Sequence, residues 1–223
     1  MKKSKIEWTE FTANPIRGRC PHFGTAMCGT YCYARKRNPN WDKKPFFVPG
    51  VLDGINKRKK SATIFIGSVI DIWADAIPDK ILKEIYGTAI AAMHTILFCT
   101  KNPSRYYSAQ IVSSNIWFGA STPDASKAAT FCDTLSILRS HGAQTYLSAE
   151  PLMEPIAKYL DPEAYGGIII GAMTGTGSVK PKKQWVLDII TVSTGKPIFI
   201  KDNLLSIYPD LPRLRETAWA LKK

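Results

Sequence analysis

Short apolar runs recur along the chain, and each closes on a small or polar residue. The clearest are Thr63-Ile64-Phe65-Ile66-Gly67-Ser68, Thr95-Ile96-Leu97-Phe98-Cys99-Thr100 and Asn115-Ile116-Trp117-Phe118-Gly119-Ala120-Ser121. Thr145-Tyr146-Leu147-Ser148, Gly167-Ile168-Ile169-Ile170-Gly171 and Pro197-Ile198-Phe199-Ile200-Lys201 follow. The runs are continuously apolar rather than alternating, which is how strands covered on both faces read. Ile6 to Thr12 offers a weaker strand ahead of them. Between the runs the apolar period lengthens to that of a helix. Pro78 to Met93 places Ile81, Leu82, Ile85 and Ile90 on one side, with proline in its first turn. Asp124 to Ser140 does the same with Ala128, Phe131, Leu135 and Leu138, and Gly142 lies just beyond its end. Lys182 to Thr194 is a third helix and Ser104 to Val112 a short fourth.

Strands alternating with helices predict parallel βα units. Six to seven strands of this kind suit a partial or complete parallel (β/α) barrel, and nothing in the chain marks a linker or a repeat. The expectation is one α/β domain over residues 1–223, with a basic, aromatic insertion at about 35–60. In such a fold the loops after the strands' carboxyl ends carry the chemistry. Those ends bear Ser68 with Asp71, Thr100 with Lys101 and Asn102, Ser121, Ser148 with Glu150, Met173 to Gly177, and Lys201 with Asp202 and Asn203. Any one of these would serve as a helix cap or an ion pair. Six consecutive polar strand ends favour a shared site. The glycines of Gly171-Ala-Met-Thr-Gly-Thr-Gly177 allow close backbone approach, in neither the P-loop nor the dinucleotide spacing.

Charge adds a partner class. The 223 residues carry a net charge of +12, which favours an anionic partner, with nucleic acid modestly ahead of a phosphorylated small molecule or an acidic protein. Arg35-Lys36-Arg37, Lys43-Lys44 and Lys57-Arg58-Lys59-Lys60 are interleaved with Trp41, Phe46 and Phe47. Cations among aromatics contact phosphates and stack on bases. A solvated segment whose aromatics pack inward is the equal alternative. Met1-Lys2-Lys3-Ser4-Lys5 leads into no apolar run, and no stretch is long enough to span a membrane. An odd number of cysteines without a secretory signal points to reduced thiols in a cytoplasm.

Three of the five cysteines sit on one loop, Cys20-Pro-His-Phe-Gly-Thr-Ala-Met-Cys28-Gly-Thr-Tyr-Cys32, while Cys99 and Cys132 lie in apolar surroundings. A closed zinc site takes four protein ligands, and so does a ferredoxin-type cluster. Three thiolates leave two outcomes. His22 completes a Cys3His staple, or a coordination position stays open to a small molecule. By spacing alone the two stand level. Side-chain catalysis has little to work with: no Gly-x-Ser-x-Gly or His-Glu-x-x-His motif is present, and His94 and His141 sit near helix ends, where packing or dipole roles suit them.

An ordered set of motifs opens with Lys5-Ile-Glu-Trp-Thr-Glu10 and Asn14-Pro15, the cysteine loop ending Cys32-Tyr33-Ala34, and Phe65-Ile-Gly-Ser-Val-Ile-Asp71. It continues through Thr100-Lys-Asn-Pro103 with Arg105-Tyr106, Trp117-Phe-Gly-Ala-Ser121, Leu147-Ser-Ala-Glu-Pro-Leu152, Ile170-Gly-Ala-Met-Thr-Gly175, Trp185-Val186 and Phe199-Ile-Lys201. In this set the chain resembles a phage and bacterial family of three-cysteine-motif proteins, regarded as a divergent branch of the radical S-adenosylmethionine superfamily. The cysteine spacing is wider than the superfamily's usual one, and Asp202-Asn203 stands where an aromatic-containing segment is more common.

The resemblance implies a radical-type barrel in which Cys20, Cys28 and Cys32 hold a 4Fe–4S cluster. S-adenosylmethionine binds the open iron and is reductively cleaved to a deoxyadenosyl radical, with an electron donor as partner. It places Tyr31, and with it Tyr33, near the adenine, and Ser68 and Asp71 on the methionyl amine side. Thr100, Ser121, Ser148, Glu150 and Gly171 become cofactor or substrate contacts, and Asp71, Lys101, Glu150 and Lys201 the catalytic candidates. Nucleic acid or a nucleotide is the favoured substrate class, held by Arg35 to Lys60, with base repair or modification as the reaction. The competing expectation is a non-enzymatic nucleic-acid-binding protein with a zinc or iron–sulfur staple that uses His22.

Overall fold

The computed structural model describes residues 1–26, 28–29, 32–36, 38–109, 112–174 and 178–220, with Tyr33 and Lys36 by their backbone alone. The chain divides into two compact units, Met1–Trp117 and Phe118–Lys223.

In the first unit β1 (Lys2–Lys3) pairs antiparallel with β2 (Phe11–Ala13). A two-residue ribbon follows, β3 (Ile16–Arg17) against β4 (Phe46–Phe47), then α1 (Gly50–Asn56). β5 (Thr63–Ile66), α2 (Asp79–Ala91) and β6 (Thr95–Thr100) complete the unit. β2 runs parallel to β5, with Ala13 beside Ile66, and β5 runs parallel to β6. The four residues of β5 are all buried, as a continuously apolar run demands. Behind β5 and β6, Trp73 is enclosed by Tyr86, Phe98 and Tyr106, with ring centroids 6.1, 5.4 and 4.8 Å away. Edge-on aromatic packing of this kind fixes the backbone that carries it. The loop after β5 is therefore anchored two residues beyond Asp71.

β7 (Ile116–Ser121) takes the chain into the second unit, which holds α3 (Ala125–Ser140), β8 (Gln144–Ala149), β9 (Ile168–Ile170), α4 (Lys183–Val192), β10 (Ile198–Ile200) and α5 (Asp202–Leu205). β8, β9 and β10 are parallel neighbours, and Ala149, Ile170 and Ile200 lie side by side.

The α/β class and the mainly parallel strands match the sequence expectation. Within the first unit, the strand expected from Ile6 to Thr12 is confined to Phe11–Ala13, because residues 6–10 turn and Glu10 Oε2 accepts the Thr63 N–H at 2.8 Å. The helix expected from Ser104 is a 3-10 turn over Pro103–Ser108. Among the described residues no helix is long and apolar enough to cross a membrane.

Candidate functional site

The register of the first unit explains its polar cluster. β2 ends at Ala13 and β5 at Ile66, side by side, so the chains leaving their carboxyl ends emerge next to each other. One becomes the cysteine loop and the other the segment from Gly67 to Asp71. Asn14 joins them: its Nδ2 donates to Ser68 Oγ at 3.1 Å, and its Oδ1 accepts from Ser68 Oγ at 3.3 Å and from Val69 N at 3.1 Å.

Asp71 is the hub. Its Oδ1 accepts from Trp73 N at 3.0 Å, and its Oδ2 from Thr100 Oγ1 at 2.8 Å and Lys101 N at 2.9 Å. His22 Nε2 lies 3.2 Å from the same Oδ2, at ion-pair distance but without hydrogen-bond alignment. The Asp71 side chain is only 10% exposed, so this carboxylate is held almost out of water by donors that fix its direction. Asn102 extends the network: its N–H donates to Thr100 Oγ1 at 2.9 Å and its Nδ2 to Asp75 Oδ1 at 2.8 Å. Arg105 closes it, reaching the carbonyls of Ala74 and Ile77 and the carboxylates of Asp75 and Asp79.

Cys20 and Cys28 are buried and Cys32 is half-buried. Burial pushes the Cys20 thiol up to about 12, helped by the negative charges of Asp71 and Cys28, while backbone hydrogen bonds from Asp71 and His22 pull the other way. A cysteine nucleophile needs a lowered pKa. Cys20, Asp71 and His22 are thus a poor hydrolytic set despite their adjacency. Cys28 and Cys32 lie on the same loop as Cys20.

No group of three or more His, Cys, Asp and Glu side chains is placed to hold one metal ion among the described residues. A cluster asks for something different, since each thiolate binds its own iron and hydrogen bonds to sulfur tune it. Three thiols on one loop, with backbone hydrogen bonds on the Cys20 sulfur, are the donors a cluster would use, while the buried His22 Nε2 without an aligned partner is the donor a Cys3His site would add. Tyr31 lies outside the described residues, as does the Tyr33 side chain.

The second unit carries the remaining candidates. Because Ala149, Ile170 and Ile200 are aligned, the next residues Glu150, Gly171 and Lys201 also form a row. Lys201 Nζ and Glu150 Oε1 make an ion pair directly over Gly171. A Cβ on Gly171 would stand 2.9 Å from Lys201 Cδ and 3.0 Å from Glu150 Cγ. Ser121 Oγ donates to the Glu150 carbonyl at 3.0 Å, and the buried Ser148 offers its carbonyl to Thr122 N at 2.9 Å. Asn203 fastens the loop after Gly171, donating from Nδ2 to the Ala172 carbonyl and accepting the Ala172 N–H at Oδ1. Gly171→Ala is expected to push the pair apart and cost about 1 kcal/mol, as modest overpacking does. A urea titration measures the loss, and an unchanged midpoint would show that the pair does not depend on the glycine.

Outside these clusters the remaining histidines and cysteines have ordinary places. His94 Nε2 meets the Ile55 carbonyl, and His141 Nδ1 meets that of Ile137 at the end of α3. Cys132 is buried, and burial pushes its thiol up to about 11.

The sequence left Asn14 and Gly18 without roles. The basic segment is tied to the cysteine loop: Arg19 N donates to the Lys43 carbonyl, Val48 N to that of Pro15, and Asn38 Nδ2 to that of Gly18. Its aromatics are partly engaged within the chain. Trp41 packs edge-on against Phe23 at 4.9 Å, and Arg58 lies over Phe11 at 4.2 Å.

A protein-family model described as "Protein of unknown function (DUF5131)" matches residues 3–201. The chain belongs to that family. The matched span takes in the cysteine loop, the Asp71 hub and the Glu150–Lys201 pair, so all three lie in what the family model describes. Neither a curated protein nor a solved structure matches the chain.

Proposed function

We propose that the chain is a radical S-adenosylmethionine enzyme whose cysteine loop holds a 4Fe–4S cluster through Cys20, Cys28 and Cys32. The observation that carries the reading is the buried Cys20 sulfur within reach of the Asp71 backbone N–H, beside a nearly buried and fully directed carboxylate, on the loop that also carries Cys28 and Cys32. The buried Cys20 thiol beside Asp71 is poorly placed as a bare thiolate, and coordination to iron would offset that. When bound and reduced, such a cluster supplies an electron to S-adenosylmethionine.

The chain's own groups do the rest. Asp71 offers a fixed negative charge to the cofactor's amine, and its donors Thr100, Lys101 and Trp73 keep it from turning away. Asn14 positions Ser68 beside it. In the second unit, the Glu150–Lys201 ion pair over Gly171 is the candidate for contacting substrate. The reading carries with it a parallel barrel architecture, a cytoplasmic setting, an electron donor, and a nucleic acid or nucleotide as substrate. Its support for the last is the net charge of +12.

Reconstituted with iron and sulfide and given a strong reductant, the chain is expected to release deoxyadenosine from S-adenosylmethionine. Cys28→Ala is expected to drop this to background with the far-ultraviolet circular dichroism unchanged. Deoxyadenosine formation by the variant at the wild-type rate would overturn the assignment.

A further inference from the structure

Positive charge is concentrated in the stretch of chain that carries the cysteine loop. Residues 16–60 hold eleven Lys and Arg against two Asp, so most of the molecule's net charge of +12 sits in this fifth of the chain. The ribbon of β3 and β4 explains how it is gathered. It pairs Arg17 with Phe46, and the Arg19 N–H bonds to the Lys43 carbonyl just beyond, so the cations of the loop's stem and of the basic segment fall side by side. Between them opens a cleft of about 430 Å³ lined by Arg19, Cys20, Pro21, Phe23, Lys44, Pro45 and Ala76. Arg19 and Lys44 are exposed, and no carboxylate pairs with either among the described residues. At the cleft's side Phe23 has the Arg35 guanidinium 5.6 Å from its centroid and the Trp41 ring edge-on. Phe46 is exposed, with Lys43 Nζ 5.9 Å from its centroid.

We infer that this cleft binds the backbone of single-stranded nucleic acid directly over the cysteine loop. Arg19 and Lys44 neutralise neighbouring phosphates, and the faces of Phe23 and Phe46 take up stacked bases. Three observations favour a strand over an acidic protein. The site is concave and of a size that suits a nucleotide-sized group, about 300 to 1,000 Å³, rather than a broad flat contact. Its cations alternate with aromatic faces, as in sequence-tolerant strand binders. The cleft wall includes Cys20 itself, so a bound strand passes the residue that the function proposed above assigns to the cluster. The inference deepens that function by placing its substrate, and depends on it only for the chemistry done there.

The test is fluorescence anisotropy of a labelled single-stranded oligonucleotide titrated with the full chain. Arg19→Ala with Lys44→Ala is expected to weaken binding at least tenfold and to lower the salt slope by about 1.4, the value for two phosphate contacts on a single strand. Lys80→Ala with Lys83→Ala, which removes the same charge from the exposed face of α2, is expected to change affinity less than twofold. Equal losses in the two double variants, or no binding by the wild type, would overturn the inference. So would displacement of the strand by polyglutamate as effectively as by unlabelled oligonucleotide, which would mark a site for acidic protein. Thermal melting of each variant confirms folding. The two proposals fail separately: a chain that binds the strand but assembles no cluster keeps the inference and loses the enzyme, and one that assembles a cluster but binds no strand does the reverse.

Discussion

Asp71→Ala is expected to cost about 4 kcal/mol of stability and, on the proposed function, to abolish S-adenosylmethionine binding, the largest single effect in the molecule. One carboxylate receives Thr100 Oγ1, Lys101 N and Trp73 N, and stands 3.2 Å from His22 Nε2. Removing it leaves those donors buried without an acceptor, and each costs about 1 to 3 kcal/mol when water cannot replace the partner. Relaxation of the loop recovers part of the sum. Asp71→Asn separates the structural role from the electrostatic one. It keeps an acceptor oxygen and the shape but loses the charge, so we expect about half the stability loss and the same loss of S-adenosylmethionine binding. Chemical denaturation gives the first quantity and calorimetric titration of the reconstituted protein the second. If Asp71→Asn bound the cofactor as well as the wild type, the carboxylate's charge would have no part in holding the amine.

Gly18→Ala is expected to cost about 3 kcal/mol and to uncouple the basic segment from the cysteine loop. Gly18 has φ +108, a conformation that any residue with a Cβ adopts at a cost of about 1 to 3 kcal/mol. The added Cβ would also lie 2.4 Å from the Lys44 carbonyl oxygen, which is backbone and does not swing aside. The Arg19–Lys43 bond and the Asn38–Gly18 bond lie on either side of this contact, so the ribbon opens where it gives. Hydrogen exchange would report it: the amides of Arg19 and Val48 should lose protection while those of β5 and β6 keep theirs. Retained protection at Arg19 would mean that the ribbon absorbs the methyl group, against the close approach seen here.

Much of the fold was legible because strands buried on both faces need continuous apolar runs. β5, β6, β7 and β8 lie within a residue or so of those runs, and the polar residues closing them do stand at strand ends. Adjacency in a parallel sheet then brings Glu150 and Lys201 together over Gly171, a contact across residues far apart in sequence that only the register supplies. The ribbon of β3 and β4 was not legible, since two residues per strand carry no period. What marked it was a single glycine between Arg17 and Arg19, which reads as an ordinary loop residue until the Lys44 carbonyl is seen beside it. α1 was hidden for a similar reason: it is short, begins at Gly50 and lies among charges that read as a solvated segment. Asn14 stood in the sequence motif without a role, because its partner Ser68 comes from a neighbouring strand. Trp73, by contrast, shows how a core residue sets a site: its burial among Tyr86, Phe98 and Tyr106 holds Asp71 in place from two positions away.

The most direct measurement is the visible spectrum of the anaerobically prepared chain after reconstitution, before and after adding S-adenosylmethionine. A brown protein with iron and acid-labile sulfide in equal amounts, whose cluster absorbance shifts when the cofactor is added, is the predicted result. A colourless protein holding one tight zinc that His22→Ala releases would contradict it.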